Sequence, residues 1–582
     1  MNQSQWLILF LAIQIIHGLG TWKLYIKAKR QAWEAFVPVY NAIVLMKIIN
    51  RPWWWTILMI LPIVNLIMLP AVWVETARSF GKDSNLDTFL AIATLGFYAF
   101  YLNYIAEVSY IENRDLKPKT SAGDWISSIL FAIVAATIVH TYFFQPFVIP
   151  SSSLEKSLLV GDFLIVSKIH YGPRAPMTTI AAPMVHDTIP VIKKKSYLYS
   201  DKINEKESSW KNWFQLPYFR IPSFQTIKRN EIVVFGQPAD TLRDMNDFTP
   251  DRNYYKPIDK KTNLVKRCVG IAGDTLEIRN GDIFINGVET VYPDRTDLMH
   301  NYVWTSRSQI TQRIIDKFEI ENFMYFFEVD PKTWDDEGLR QFIETNPGLA
   351  YLKEYRRDST KVEIFGQAAE NVLSQLNVKA IPNKYMINIS KNFSEGLAVR
   401  TETITIERFA NTVPERNIFP RDAMYSWNYD NFGPLYIPEA GKTIAINVSN
   451  YNLYKRVISE YEGHKIVAKG NQVFIDDKLA DSYTFKQDYY WMMGDNRHNS
   501  IDSRAWGFVP FNHVIGKPVF IWMSIDGIND GLSNWRPRTD RIFTTVSGDG
   551  GRISYFWPFV VVVAGISFYN RRRKKKKAAN KS

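Results

Sequence analysis

Pro150 is followed by three consecutive serines, Ser151, Ser152 and Ser153, in the run Gln145-Pro-Phe-Val-Ile-Pro-Ser-Ser-Ser-Leu-Glu-Lys-Ser-Leu-Leu-Val-Gly-Asp162. The run begins where an apolar segment ends and leads into a predicted strand, so at least one hydroxyl is held near that segment with little slack. A serine hydroxyl becomes a nucleophile beside a proton acceptor, although serine-proline clusters also mark ordinary loops. Farther on, Leu264-Val-Lys-Arg-Cys-Val-Gly-Ile-Ala-Gly-Asp274 carries Lys266, Arg267 and the lone cysteine, Cys268. A third block, from Tyr489 to Gly507, packs Asp495, Asn496, Arg497, Ser500, Asp502 and Arg504 between an apolar run and Trp506-Gly507. So dense a polar segment between aromatic anchors predicts a hydrogen-bonded loop fixed against a core. Spacing alone does not say which group would act as a base.

The elements that must position these residues begin with apolar runs. The hydrophobic fraction of 46% is ordinary, but the apolar residues are gathered into long stretches, the pattern of a membrane protein with a large soluble part. Bilayer spans are predicted at residues 5–24, 53–74, 86–106, 125–144 and 553–569, while 32–49 reads as an interfacial or re-entrant helix. Basic residues crowd the linker after the first span (Lys23, Lys27, Lys29, Arg30, Lys47, Arg51), the one after the third (Arg114, Lys117, Lys119), and the tail. These segments are therefore predicted to be cytoplasmic, with 145–551 outside and tied to the membrane at both ends. The N-terminus lacks a basic leader region and is read as retained.

The formal charge is +12, but seven positive charges are consecutive at Arg571 to Lys577, and without them only +5 remains. The run reads as a cytosolic membrane stop, and no nucleic-acid-reading module is present. One cysteine excludes an intrachain disulfide. His17 and His140 in the spans lack metal-site spacing, and Trp53 to Trp55 fits an interfacial anchor. The histidines, His498 included, are dispersed and have no cysteine partners, so no metal and no cofactor is expected.

Strands are predicted at 162–167, 231–235, 275–278, 283–285, 443–448, 465–468 and 473–475. Asn280-Gly281 is the clearest hairpin turn, and Gly470-Asn471 looks similar. Gly161-Asp162 and Gly273-Asp274 read as turns, not phosphate loops. The fold expected is a mainly antiparallel β catalytic domain with an inserted mixed α/β subdomain, anchored by N-terminal and C-terminal transmembrane helices. Its parts are a multi-span region at 1–124, a helix at 125–144 leading into a β-rich domain at 145–290 and 411–551, an insert at 291–410, a last span at 553–569 and a basic tail at 570–582. Helices are expected in the insert at 334–343, 347–354 and 367–376. The stretch 173–225 is a second interruption.

Ile149-Pro-Ser-Ser-Ser, Gly161-Asp162, Lys266-Arg267 with Gly270 and Gly273-Asp274, and Gly494-Asp-Asn-Arg followed by Ser500, Asp502-Ser-Arg504 and Trp506-Gly507 resemble the ordered motifs of type I signal peptidases, also called leader peptidases. The resemblance covers the fourth span and scattered blocks to about residue 518. It implies a Ser-Lys dyad serine peptidase, with Ser153 as nucleophile and Lys266 as general base. It also implies that Ser151, with the Ser153 backbone N–H, lines the oxyanion hole and that Ser500 orients the lysine. Asp502 and Arg504 match an ion pair that shapes the site, with Arg267, Asp495 and Arg497 as further framework. Leu154 stands where the family usually has methionine, and Lys156 where it usually has proline. Cys268 falls at a non-catalytic position and reads as an apolar strand residue. An ordinary lysine, near 10.4, is protonated at neutral pH and useless as a base, so Lys266 must be neutralised by burial.

The substrates implied are secretory and membrane-directed preproteins with apolar signal peptides and small residues first and third before the scissile bond. They are expected to bind as an extended strand along Phe147 to Ser153. Membrane lipid and the secretion machinery are the other partners implied, with the enzyme in a bacterial inner membrane. A membrane-tethered assembly protein, or a Ser-Lys protease acting on a folded regulator, are the rival readings.

Overall fold

The structure, a computed structural model, describes residues 3–118, 120–240, 254–346 and 348–579. The chain divides into two compact units, one of residues 1–145, 167–226 and 239–263, the other of 146–166, 227–238 and 264–582.

The first unit is largely helical: α1 (Gln3–Lys27), α2 (Tyr40–Ile48), α3 (Trp55–Ile60), α4 (Asn65–Ser79), α5 (Asn85–Ala93), α6 (Tyr98–Tyr104) and α7 (Ser121–Ile138), the last continued by a π-helical turn, Val139–Phe143. Among the described residues, two helices are long and apolar enough to cross a bilayer, Gln3–Lys27 and Ser121–Phe143. The stretch expected to span at 53–74 is broken into α3 and α4. Pro62 cannot donate to the helical ladder, and Ile63 sits at φ 71°, in left-handed space. The stretch at 86–106 is likewise two helices, bent by 115° where Leu95 and Gly96 take positive φ. The nine residues of α2 are too short to cross. The interior of the bundle is built from Leu24, Tyr25, Val44, Met46, Phe80 and Leu102. The stretch 173–225 belongs to this unit and holds isolated bridges and two 3-10 turns, Ile203–Glu205 and Trp210–Phe214.

The second unit is dominated by antiparallel sheets. Its largest contains β1 (Phe144–Val148), β2 (Asp162–Ser167), β3 (Ile232–Gly236), β4 (Asn263–Gly270), β5 (Tyr489–Met493), β6 (Val509–Pro510) and β7 (Val514–Asp526), in the order β1-β2-β7-β3-β4-β5-β6. Ile149, Leu154, Leu158, Leu164, Val166, Ile232, Val234, Ile515 and Ile521 form one core cluster. The Asn280-Gly281 hairpin forms as expected: Arg279 pairs with Asp282, and both turn residues have positive φ. Gly470-Asn471 also joins two paired strands, Ile466–Lys469 and Gln472–Ile475, with positive φ at Gly470.

Between β4 and β5 along the chain lies a six-stranded sheet of Met299–Ser306, Asn322–Val329, Ala350–Arg357, Val362–Ala368, Lys379–Ser390 and Thr403–Arg408, flanked by short helices. The segment expected to be helical at 347–354 is instead part of the strand Ala350–Arg357, paired along its length with Val362–Ala368. Its burial alternates, Ala350 and Leu352 inward and Tyr351 outward, and cross-strand packing overrides the helix-forming residues it contains. The 334–343 helix becomes two, Pro331–Trp334 and Glu337–Thr345, and that at 367–376 shrinks to Glu370–Gln375. The last helix, Phe556–Ala579, has 15 residues, Phe556 to Asn570, ahead of the Arg571–Lys577 charges, against the about 20 that a bilayer span needs, and among the described residues it is not one of the helices that qualify as spans.

Candidate active site

The serine cluster is pinned on both sides by buried apolar residues. Ile149 exchanges backbone hydrogen bonds with the β2 entrance, its N–H donating to Asp162 O at 3.0 Å and its carbonyl accepting from Gly161 N at 2.9 Å. Gly161 has φ 88°, and a Cβ there would lie 1.9 Å from the Ile525 carbonyl oxygen, so no other residue fits. After this anchor the chain makes one 3-10 turn, Ser152–Leu154, whose Leu154 is buried in the same core. Ser153 is therefore presented by a single turn between two fixed hydrophobic points. Ser151 precedes the turn in extended conformation and is exposed.

Lys266 comes from the buried end of β4, and its Nζ donates to Ser153 Oγ. Its exposure is 5%, and it makes no ion pair of its own among the described residues. Burial is the main reason its pKa falls to about 8; Asp502 and Asp495 oppose the fall and Arg504 assists it. Each of these carboxylates is matched to its own guanidinium. Arg267 makes a forked contact with Asp495, Nε to Oδ1 at 2.7 Å and Nη2 to Oδ2 at 2.6 Å. Arg504 grips Asp502 in the same fashion, at 2.9 and 2.8 Å. Burial would raise both acids, but the arginines' charge and hydrogen bonds hold them below the usual carboxylate range. An amine neutral near pH 8 in contact with a hydroxyl can take its proton, which is what a weak alcohol nucleophile requires.

The 494–504 loop closes over this pair. Asn496 N–H donates to the Ser153 carbonyl at 3.2 Å, and Asn499 Nδ2 to Ser152 Oγ at 2.9 Å. Arg504 also reaches the Arg497 carbonyl at 2.7 Å and lies over the Tyr429 ring, while Arg497 bonds the Tyr292 hydroxyl at 3.0 Å. Ser500 is buried beside Gly494, and its Oγ makes no hydrogen bond among the described residues, to Lys266 or otherwise. His498 is packed, accepting from Asn301 N–H and facing Asp430. Cys268 is fully buried on β4, where burial pushes its thiol well up.

The sequence motifs thus converge in one place, but they leave out several supports. Ser157 Oγ and the Asn230 carbonyl both hold Arg267. Arg541 pairs with Asp162, explaining the Gly161-Asp162 motif as a turn held by a buried ion pair. Asn496 stands inside the Gly494-Asp-Asn-Arg motif, and its backbone contact with Ser153 reveals its work. Gly494 is a sharper case: a Cβ there would lie 2.3 Å from Ser500 Oγ and 2.5 Å from the Ser153 carbonyl oxygen. Gly494→Ala must move the serine turn or the loop, and a displacement near 1 Å at reacting groups costs about 100-fold. Peptide-cleavage kinetics on the folded variant are expected to show that loss in kcat, with Tm changed far less.

Residues 122–328 and 441–523 match the family model "Signal peptidase, peptidase S26". Residues 33–113, in the helical unit, match a family of unknown function, DUF5684. The chain is 38% identical over 438 residues to signal peptidase I of Haemophilus influenzae, covering 75% of this chain and 79% of that protein. It is 22% identical over 457 residues to signal peptidase I of Buchnera aphidicola subsp. Acyrthosiphon pisum, covering 76% and 93%. The blocks that build the serine turn, the lysine strand and much of the sheet around them fall inside the family match, and on that match and the Haemophilus identity the chain belongs to the signal peptidase I family, peptidase S26, as a peptide-bond hydrolase.

Proposed function

We propose that this enzyme removes signal peptides by acyl transfer through Ser153, with neutral Lys266 as general base, at the outer face of a bacterial inner membrane. The observation that carries the reading is the contact with Ser153 Oγ of the buried Lys266 amine, which makes no ion pair among the described residues. Lys266 Nζ takes the Oγ proton as Oγ bonds to the scissile carbonyl carbon. It returns that proton to the leaving amine as the C–N bond breaks. Water then hydrolyses the ester by the same proton path. The Ser153 N–H and Ser151 hydroxyl are the donors for the oxyanion, and loss of one such donor costs about 3 kcal/mol of barrier. Ser500, buried with an unused hydroxyl, is suited to orient the amine once substrate enters.

β1 is an edge of the large sheet and leads directly into the serine turn, so a signal peptide's cleavage segment can add beside it as an extended strand. In that pose alternate side chains point into the enzyme, which accounts for a requirement for small residues first and third before the cut. The 291–410 stretch is an inserted subdomain in this reading. Residues 121–143 and 3–27 anchor the chain, with the other apolar stretches completing a multi-pass arrangement and the basic tail in the cytosol.

A synthetic preprotein with an Ala-x-Ala site tests this directly. Cleavage after the second alanine is expected, with loss of about 100-fold or more in kcat/KM when either alanine becomes tryptophan, since an overfilled pocket displaces the scissile bond. Equal cleavage of all these substrates would exclude the signal-peptide reading while leaving the Ser153 chemistry standing.

A further inference from the structure

The six-stranded 299–408 sheet reaches the serine turn through a buried polar junction. Its fifth strand, Lys379–Ser390, carries Asn388, whose Nδ2 donates to Asn496 Oδ1 at 3.0 Å while its Oδ1 accepts from Asn496 Nδ2 at 2.9 Å. The second Nδ2 hydrogen is used by Asn301 Oδ1, also at 3.0 Å, from the neighbouring strand Met299–Ser306. All three amides are buried, with Asn496 fully so. Burying amides is costly unless their hydrogen bonds are met, and a satisfied amide pair fixes one relative orientation in a way that apolar contact does not.

The backbone gives this orientation a direction. Met299 N–H donates to the Asp495 carbonyl at 3.0 Å and the Met299 carbonyl accepts from Arg497 N–H at 2.9 Å, so residues 495–497 lie along that strand as a parallel bridge. In such a bridge the Asp495 carbonyl and the Arg497 N–H face the 299–408 sheet, and the Asn496 N–H points the opposite way. There it meets the Ser153 carbonyl. Asn496 is thus held from one side by Asn388 and Met299 and holds the serine turn from the other. A separate tie, Lys156 to Glu319, joins the segment after the serine to the loop that precedes the strand Asn322–Val329 of the same sheet.

We infer that Asn388 is a positioning residue for peptide-bond cleavage: through its paired amide bonds it fixes Asn496, and through the Asn496 N–H it sets the direction of Ser153 toward Lys266. The inference rests on Ser153 being the nucleophile. It gives the 299–408 sheet a task in the chemistry itself, as a brace for the loop that orients the serine. Asn388 touches neither substrate nor reacting atoms, so its effect passes entirely through Asn496.

A double-mutant cycle tests it, read as single-turnover rate and KM on the Ala-x-Ala preprotein with the whole membrane-embedded chain, normalised to folded enzyme. Asn388→Ala is expected to lower the rate roughly tenfold, as a fraction of an ångström of slack would, with KM within about twofold. Asn496→Ala is expected to lower it at least as much, and Asn388→Ala added to Asn496→Ala to change it by less than about twofold. Ile364→Ala, in a core of the same sheet away from the junction, is the control: it should lower Tm and leave the rate per folded molecule unchanged. Asn388→Ser, which can keep one hydrogen bond, should give an intermediate rate and serves if the alanine variant does not fold. The inference is overturned if the Asn388 variants react at the parent rate, if Ile364→Ala slows the reaction equally, or if the two asparagine effects multiply. Ser153→Ala in parallel separates the outcomes, since turnover retained there would refute the nucleophile, not the brace.

Discussion

Ser153→Ala is expected to lose on the order of 10⁴-fold or more in kcat on a preprotein substrate, because no other hydroxyl is placed to accept the acyl group. Ser152 belongs to the same turn, but its Oγ is engaged by Asn499, and the exposed Ser151 stands outside the turn. Cys268 offers no bypass: it is fully buried, and burial disfavours its thiolate. Intact-mass analysis after mixing the parent enzyme with a slowly deacylating substrate should find the acyl group on the peptide containing Ser153, and no adduct on Ser153→Ala. The change removes one half-buried hydroxyl from a turn anchored by Ile149 and Leu154, so the variant should fold as the parent does.

Lys266→Arg should be as inactive as Ser153→Ala, even though it preserves a long cationic side chain. A guanidinium does not lose its proton at accessible pH and cannot accept one from Ser153. Lys266→Met should be equally inactive yet more stable than the parent at neutral pH. The sign follows from linkage: the folded-state pKa, about 8, lies below the ordinary 10.5, so between those values the unfolded chain binds more protons. Native stability therefore rises with pH through that window, and below it the fold bears the full cost of an ammonium in an unfavourable site. The shift corresponds to roughly 3 kcal/mol, which methionine removes, and it should appear as a raised Tm near pH 7 that shrinks toward pH 10. Loss of activity with a gain in stability is the signature of a buried base; a purely structural lysine would lose both.

The fold near the site was readable where short-range rules dominate. Asn280-Gly281 sets a two-residue hairpin, and strand 162–167 lies where its β-branched run predicts it. The residues brought together at Ser153 and Lys266 were legible as motifs, but their roles were not, because 113 positions separate them and no local pattern encodes that contact. Strand Ala350–Arg357 resembled a helix because its Leu, Lys and Glu residues favour one, and only its partner strand decides otherwise. The breaks at Ile63 and Leu95 lie inside apolar runs, where hydropathy carries no record of a positive φ, and Pro62 and Gly96 beside them are the local marks of each break. Asn388 could not have been found at all. It is one asparagine among many until the amide it faces is known.

The pH dependence of single-turnover acylation, measured at subsaturating preprotein so that it reports the free enzyme, bears most directly on the neutral lysine. The rate should climb about tenfold per pH unit on the acidic side, bend near pH 8 and then level off, following deprotonation of Lys266. A flat profile from pH 6 to 10, or a rise that continues to the 10.5 of an ordinary lysine, would contradict the account.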